Sequence, residues 1–302
     1  MRIRERLSSG RPCFSFEFFP PKTEAGVQNL RETVAALRDL NPTFVSVTYG
    51  AGGTTRDRTI ELVTEFQKSH AIDVMAHLTC VGASRDEIAG VLQRLRDAGI
   101  ENVLALRGDP PKGETKFEAP KDGFAYADEL IRFIRSNFTF GLGAACYPEG
   151  HVECRGLDGL RDLNADLAHL VRKVDAGADF LITQLFFDND LYFNFVGRAR
   201  KAGIAVPIIP GIMPITNVEQ IRRFTEMCGS TLPQTLMTEM ERHADNPDAV
   251  LSQGVAYATA QCFDLLQRGA PGIHFYTLNK SAASRTILAA LRTIWPPAMR
   301  PA

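Results

Sequence analysis

Strand-like and helix-like segments alternate from one end of this chain to the other, and that rhythm limits its possible folds more than any other feature. The strand-like runs are FSFEFF, FVSVTY, DVMAHLTC, NVLALRG, FGLGAACY, DFLITQLFF, VPIIPGI and GIHFYTLN, eight in all. Between them lie segments such as EAGVQNLRETVAALRDL, RDRTIELVTEFQKSH, SRDEIAGVLQRLRDAG, LNADLAHLVRKVDAG and NVEQIRRFTEMCG, apolar at three-to-four-residue spacing. Several stop at a glycine, among them Gly99, Gly177 and Gly229, as a left-handed helix cap requires. Such alternation implies parallel strands joined by crossovers, and eight units predict a closed (β/α)8 TIM barrel, with a doubly wound open sheet as the rival. The stretch from Thr231 to Gly269 reads as extra helices inserted before the last strand. A barrel of about 250 residues uses most of the chain, so residues 1–302 are expected to form a single barrel domain.

Composition narrows the function classes. With 45% hydrophobic and 23% charged residues and a formal net charge of -1, the chain has core enough to be globular and no overall attraction to nucleic acid or anionic lipid. No apolar run approaches the roughly 18 residues that cross a bilayer, and MRIRERLSSGRPC lacks the apolar centre of a signal peptide. Six cysteines without a CxxC pair read as reduced thiols. A cytoplasmic location is the expectation. Cys146, His151 and Cys154 lack an evident fourth ligand and a familiar spacing, so no metal is expected.

A barrel places its active site at the carboxyl ends of its strands. Read in order, those ends carry Glu17, Thr48 and Tyr49, His77, Arg107 and Asp109, Tyr147 with His151, Gln184, and Tyr276 with Asn279. Alternation along FSFEFF sends Ser15, Glu17 and Phe19 to one face and Phe14, Phe16 and Phe18 to the other, so Glu17 belongs to the inner face or to a strand end. Taken alone it reads as a solvated edge residue or a buried partner of some Lys or Arg. The convergence of polar ends on one rim favours a site. GLGAAC is no dinucleotide fingerprint, because it lies inside a strand and lacks the third glycine.

FSFEFFPPK, FVSVTYGAGGTTRDRT, AHLTC, LALRGDPP, CYPEGH, KVDAGADFLITQLFFD, IIPGIMPI and HFYTLNK together resemble the methylenetetrahydrofolate reductase family, in its single-domain bacterial form, from about Cys13 to Lys280. The resemblance implies a flavin-containing barrel that reduces 5,10-methylenetetrahydrofolate to 5-methyltetrahydrofolate with NADH or NADPH, in a ping-pong exchange through one site. By match, FAD would be contacted by Thr48, Tyr49, Ala51, His77, Arg107, Gly108 and Asp109 on the first half of the barrel. Ala127, Tyr147, His151, Asp166, His169, Arg172 and Lys173 complete that set. The folate substrate would be contacted by Glu17, Asp109, Gln184, Gln220, Phe224 and Lys280. Relatives form homo-oligomers, and the same is expected here.

Roles follow from the chemistry this implies. Opening the five-membered ring of the folate needs a proton on the departing nitrogen, after which an iminium carbon accepts hydride. Glu17 is the expected acid, its carboxyl raised in pKa by the flanking aromatics. Asp109 is expected to favour the cationic iminium and hydrogen-bond the pterin. Arg172 and Lys173 are expected on a helix face that follows the nucleotide, beyond Asp166 and His169. The stretch VECRGLDGLRDLNA is longer than the link usual in the family, and Lys280 stands where many relatives carry Arg. Two rivals are a flavin-free, pterin-binding methyltransferase barrel and a folate-binding barrel without chemistry.

Overall fold

The computed structural model describes residues 1–49, 53–70, 72–110 and 117–294. All strand pairings are parallel, in the order β7-β6-β5-β4-β3-β2-β1-β9-β8. The strands are β1 (Cys13–Phe18), β2 (Phe44–Val47), β3 (Val74–Thr79), β4 (Asn102–Leu106), β5 (Gly141–Cys146), β6 (Phe180–Thr183), β7 (Ile208–Ile209), β8 (Gly211–Ile212) and β9 (Gly272–Tyr276). β7 pairs with β6 and β8 with β9, and only Pro210 separates them. They are two halves of one strand. Proline has no N–H to give a ladder, but its carbonyl accepts from His274 N–H at 2.9 Å, so the ring continues through the break. The expected TIM barrel is therefore what forms, with eight staves.

Helices cover the outside: α2 (Glu24–Arg38), α3 (Gly53–His70), α4 (Arg85–Asp97), α5 (Ala127–Asn137), α6 (Leu163–Asp175), α7 (Asn189–Lys201), α8 (Val218–Cys228) and α11 (Ala282–Ile294). Their starts are written locally. Ser84 and Glu87 form a reciprocal capping box on α4, Asp162 caps α6, and Asn217 caps α8. Gly99, Gly177 and Gly229 all adopt positive φ, as their place after helical segments requires. The expected insertion is α9 (Gln234–Glu241) and α10 (Pro247–Gln267).

Parity along each strand sorts the core. Phe14, Phe16 and Phe18 face outward into the layer shared with the helices, whereas Cys13 joins Phe44, Met75, Leu104, Phe180 and Ile209 inside the ring. A short helix, α1 (Ile3–Leu7), plugs the lower end with fully buried Ile3, whose N–H donates to Asn102 Oδ1 at 2.8 Å. Gly143 belongs to this inner packing, since a Cβ there would lie 2.8 Å from Phe180 Cε2. A second apolar cluster, including Leu185, Met213, Ile215, Ile221, Met237 and Val250, binds α8, α9 and α10 beside the upper rim. No described helix is long and apolar enough to cross a membrane.

Candidate active site

Above the apolar plug, the inner faces of β1, β3 and β9 turn polar. Register sets the geometry. Ser15 lies opposite His274 and Glu17 opposite Tyr276 across β1 and β9. Ser15 Oγ and His274 Nδ1 are therefore 2.7 Å apart, and His274 Nε2 is 3.3 Å from Glu17 Oε2. His77, from β3, brings its Nε2 to 3.4 Å from the same carboxylate oxygen. Both imidazoles and Ser15 are buried. The end of β1 is held by the turn after β9: Thr277 Oγ1 donates to Glu17 O at 2.6 Å, and Asn279 exchanges two hydrogen bonds with the Phe19 backbone.

This triad corrects one expectation. Burial does push the Glu17 carboxyl upward, but attraction to His77 and a hydrogen bond with His274 outweigh it, and the net direction is down. His77 is itself driven down to about 4, chiefly by burial. Near neutral pH His77 is thus uncharged, and the hydrogen bond with His274 is what holds the carboxylate there. Unfolded His77 binds its proton near 6.5 and folded His77 only near about 4, so the unfolded state carries more protons in that window and stability rises with pH across it. Glu17, depressed when folded, adds a loss of the same sign at lower pH. Acidification from neutrality to about pH 4 is expected to cost up to about 3 kcal/mol through His77. Denaturant midpoints across that range should fall less steeply in His77→Asn; equal slopes would show that His77 is not held neutral.

Glu17 lies at one wall of a cleft of about 520 Å³, which Thr48, Tyr49, His77, Arg107, Gly108, Asp109, Tyr147, His151, Gln184 and Phe224 also line. Gly108 sits at φ 88°, and a Cβ there would meet Val81 Cγ1 at 2.9 Å, so the rim needs glycine twice over. A smaller chamber of about 260 Å³ adjoins it, sharing Leu106, Arg107, Ala145, Tyr147 and His151 and adding Ala127, Asp166, His169 and Lys173. Lys173 Nζ donates to Ala145 O at 2.9 Å and lies 5.6 Å from the Tyr147 ring centroid. Burial lowers the Lys173 ammonium and raises the Asp166 carboxyl, each opposed by attraction to the other. Glu153 N–H donates to His151 Nδ1 at 3.1 Å, which leaves the ring's proton on Nε2. Arg107 pairs with Glu153 at 2.6 Å.

Not every expected residue joins these chambers. Ala51 lies outside the described residues. Asp166, His169 and Lys173 share one face of α6, but Arg172 is exposed on the next face and engages His169 Nδ1, since adjacent helix positions diverge by about 100°. Gln220 sits half-buried in the first turn of α8 outside the cleft. Lys280 lines a neighbouring cavity of about 320 Å³ that shares Tyr276, Thr277 and Leu278 with the cleft. His274 was not among the expected residues; its signal was parity, two positions before Tyr276 on the same inner face. Met213, Met227 and Cys228 also complete the cleft wall.

A dinucleotide with a flat ring fits this pair of chambers. The smaller offers Arg107, Lys173 and the start of α5, whose cap residue Tyr126 makes no side-chain cap bond. The larger offers Leu104, Leu106 and Val81 as an apolar platform. Two buried polar atoms among its lining residues, His77 Nε2 and Thr79 Oγ1, have no hydrogen-bond partner and are available to a ligand. Among the described residues, no group of three or more His, Cys, Asp or Glu side chains is arranged to hold a metal.

Comparison with known proteins agrees across the chain. The family model for methylenetetrahydrofolate reductase matches residues 2–292. Methylenetetrahydrofolate reductase (NADH) 1 of Arabidopsis thaliana is 43% identical over 292 residues, covering 95% of this chain and 49% of that protein. The 5,10-methylenetetrahydrofolate reductase of Escherichia coli is 37% identical over 278 residues, covering 92% of this chain and 90% of that one. The chain thus spans about half the length of the plant relative and most of the bacterial one. Among solved structures, a Clostridium thermocellum protein that binds two copies of 5-methyl-5,6,7,8-tetrahydrofolic acid superposes with TM-score 0.64 at 16% identity, over 97% of this chain and 98% of that one. At that identity the likeness is one of fold.

Proposed function

Because the chain belongs to the methylenetetrahydrofolate reductase family, we infer that it reduces 5,10-methylenetetrahydrofolate to 5-methyltetrahydrofolate, using bound FAD and NADH or NADPH in a ping-pong exchange. The observation that carries this reading is the Glu17 carboxylate held by His274 beside His77, in a cleft that continues into a second, cation-lined chamber. FAD, when bound, supplies the hydride acceptor and donor. Arg107 and Lys173 would hold its phosphates, and His77 and Thr79 the polar edge of its ring.

The chain's own residues do the rest. Ser15 Oγ lies 2.7 Å from His274 Nδ1, and with the hydroxyl donating, the proton of that ring sits on Nε2, facing Glu17 Oε2. In the open cleft this keeps Glu17 ionised. A pterin covering the carboxyl removes its remaining water, strengthens the burial that already pushes the group up, and favours uptake of a proton at the carboxylate. Glu17 then delivers that proton to the departing nitrogen of the folate ring. Asp109 and Gln184 line the same cleft, where Asp109 favours the iminium cation and Gln184 both donates to and accepts from the pterin edge.

The test is anaerobic absorbance of the purified protein: a flavin spectrum that bleaches with NADH or NADPH and returns with methylenetetrahydrofolate. A colourless protein that binds folate would support the methyltransferase reading instead. The two basic residues of α6 should also separate. Lys173→Ala is expected to weaken FAD retention roughly tenfold by removing a half-buried cation from the chamber wall, and Arg172→Ala to leave it near wild type. Flavin fluorescence released on dilution measures both; equal losses would put Arg172 back on the nucleotide.

A further inference from the structure

Val152 to Asp162 carries none of the expected site residues, yet it folds into a closed excursion. Asp162 N–H donates to Cys154 O at 2.9 Å and Gly156 N–H to Leu160 O at 2.8 Å, while Arg155 and Arg161 form an antiparallel bridge. This presents the Arg161 guanidinium to three carbonyls. Nη1 donates to Glu149 O at 3.0 Å and Gly150 O at 3.5 Å, and Nη2 donates to Gly229 O. Gly229 is the left-handed cap of α8, at φ 67°, and α8 has no basic residue in its own last turn. Arg161 therefore supplies, from 68 residues away, the cation that a helix C-terminus favours. A Cβ at 229 would lie 2.6 Å from Val152 Cγ1, so only glycine admits this approach. Two further ties flank it: Thr231 N–H donates to the Glu149 carboxylate at 3.0 Å, and Ser230 Oγ–H to Leu185 O at 2.7 Å.

The two sides of this clamp belong to different parts of the cleft. α8 carries Phe224, Met227 and Cys228 on the wall of the larger chamber, whereas Glu149 and Gly150 follow Tyr147, which both chambers share. We propose that Arg161 is a positioning residue that fixes the α8 wall to the loop after β5 and thereby sets folate affinity; this rests on the folate-reducing function given above. Its side chain lines neither chamber, so its effect passes through the placement of α8.

Wild type, Arg161→Ala and Arg161→Lys are compared as purified protein by amide hydrogen exchange and by calorimetric titration with 5-methyltetrahydrofolate. In Arg161→Ala, the last turn of α8 and residues 229–231 should exchange roughly tenfold faster, and the folate dissociation constant should rise about fivefold to twentyfold. Flavin content should stay at the wild-type level. Arg161→Lys keeps the charge but not the planar fork and should fall between the two. Faster exchange with unchanged folate affinity would reduce Arg161 to a helix cap and overturn the proposal, as would unchanged exchange. Failure of the wild type itself to bind folate is a separate result, which would sink the functional reading and the proposal with it.

Discussion

Glu17→Gln is expected to keep the fold and any bound flavin while lowering the rate of flavin reoxidation by methylenetetrahydrofolate by about 10² to 10⁴, the range for losing a positioned acid. The amide is nearly isosteric, and its oxygen can still accept from His274 Nε2, so the packing of Ser15, His274 and His77 has no reason to change. It cannot release a proton to the substrate. Flavin reduction by NADH or NADPH needs no such proton and should proceed near the wild-type rate, which separates the two half-reactions in stopped-flow absorbance. Loss of both together with thermal stability would mark Glu17 as structural. Reoxidation at saturating folate within a few-fold of wild type would remove the acid role altogether.

Gly254→Ala is expected to lower stability by about 3 kcal/mol, although alanine is the better helix former by up to about 1 kcal/mol. Gly254 lies within α10, and a Cβ there would stand 1.8 Å from Ile215 O, just beyond β8. Backbone cannot step aside as a side chain does, so α10 must shift away from the rim. For a chain of this size the change corresponds to a fall in melting temperature of roughly 5 °C. An unchanged or raised melting temperature would show that α10 yields without cost. Because Ile215 and Val250 share the small apolar cluster that also holds α8, folate affinity should weaken alongside stability.

The barrel was legible because its signals are local and repeated: period-two strands, amphipathic helices, and glycines at helix ends such as Gly99 and Gly177. The rim was legible for the same reason, since strand ends can be counted along the chain. What escaped depends on contacts across it. The direction of the Glu17 shift is set by His77 and His274, which arrive from β3 and β9 through register, and nothing beside Glu17 in sequence announces them. Arg172 was placed with Lys173 by match to the family, yet neighbouring positions on a helix point apart. VPIIPGI gave the right strand without showing that Pro210 divides it between two neighbours. α1 was too short to leave a periodic trace, although its Ile3 closes the floor of the ring.

The first and last strands of the ring are neighbours, and this orders events during synthesis. A ribosome releases Glu17 early and His274, which holds its carboxylate, 257 residues later. A nascent chain that has reached Gly229 already contains every lining residue of the smaller, cation-bearing chamber. It does not yet contain β9, so neither the imidazole that steadies the acid nor the Asn279 side chain that pins the end of β1 has emerged. The parts that would grip a cofactor are thus complete before the parts that handle the proton. The carboxylate and the imidazole that holds it come together only when the two ends of the polypeptide meet.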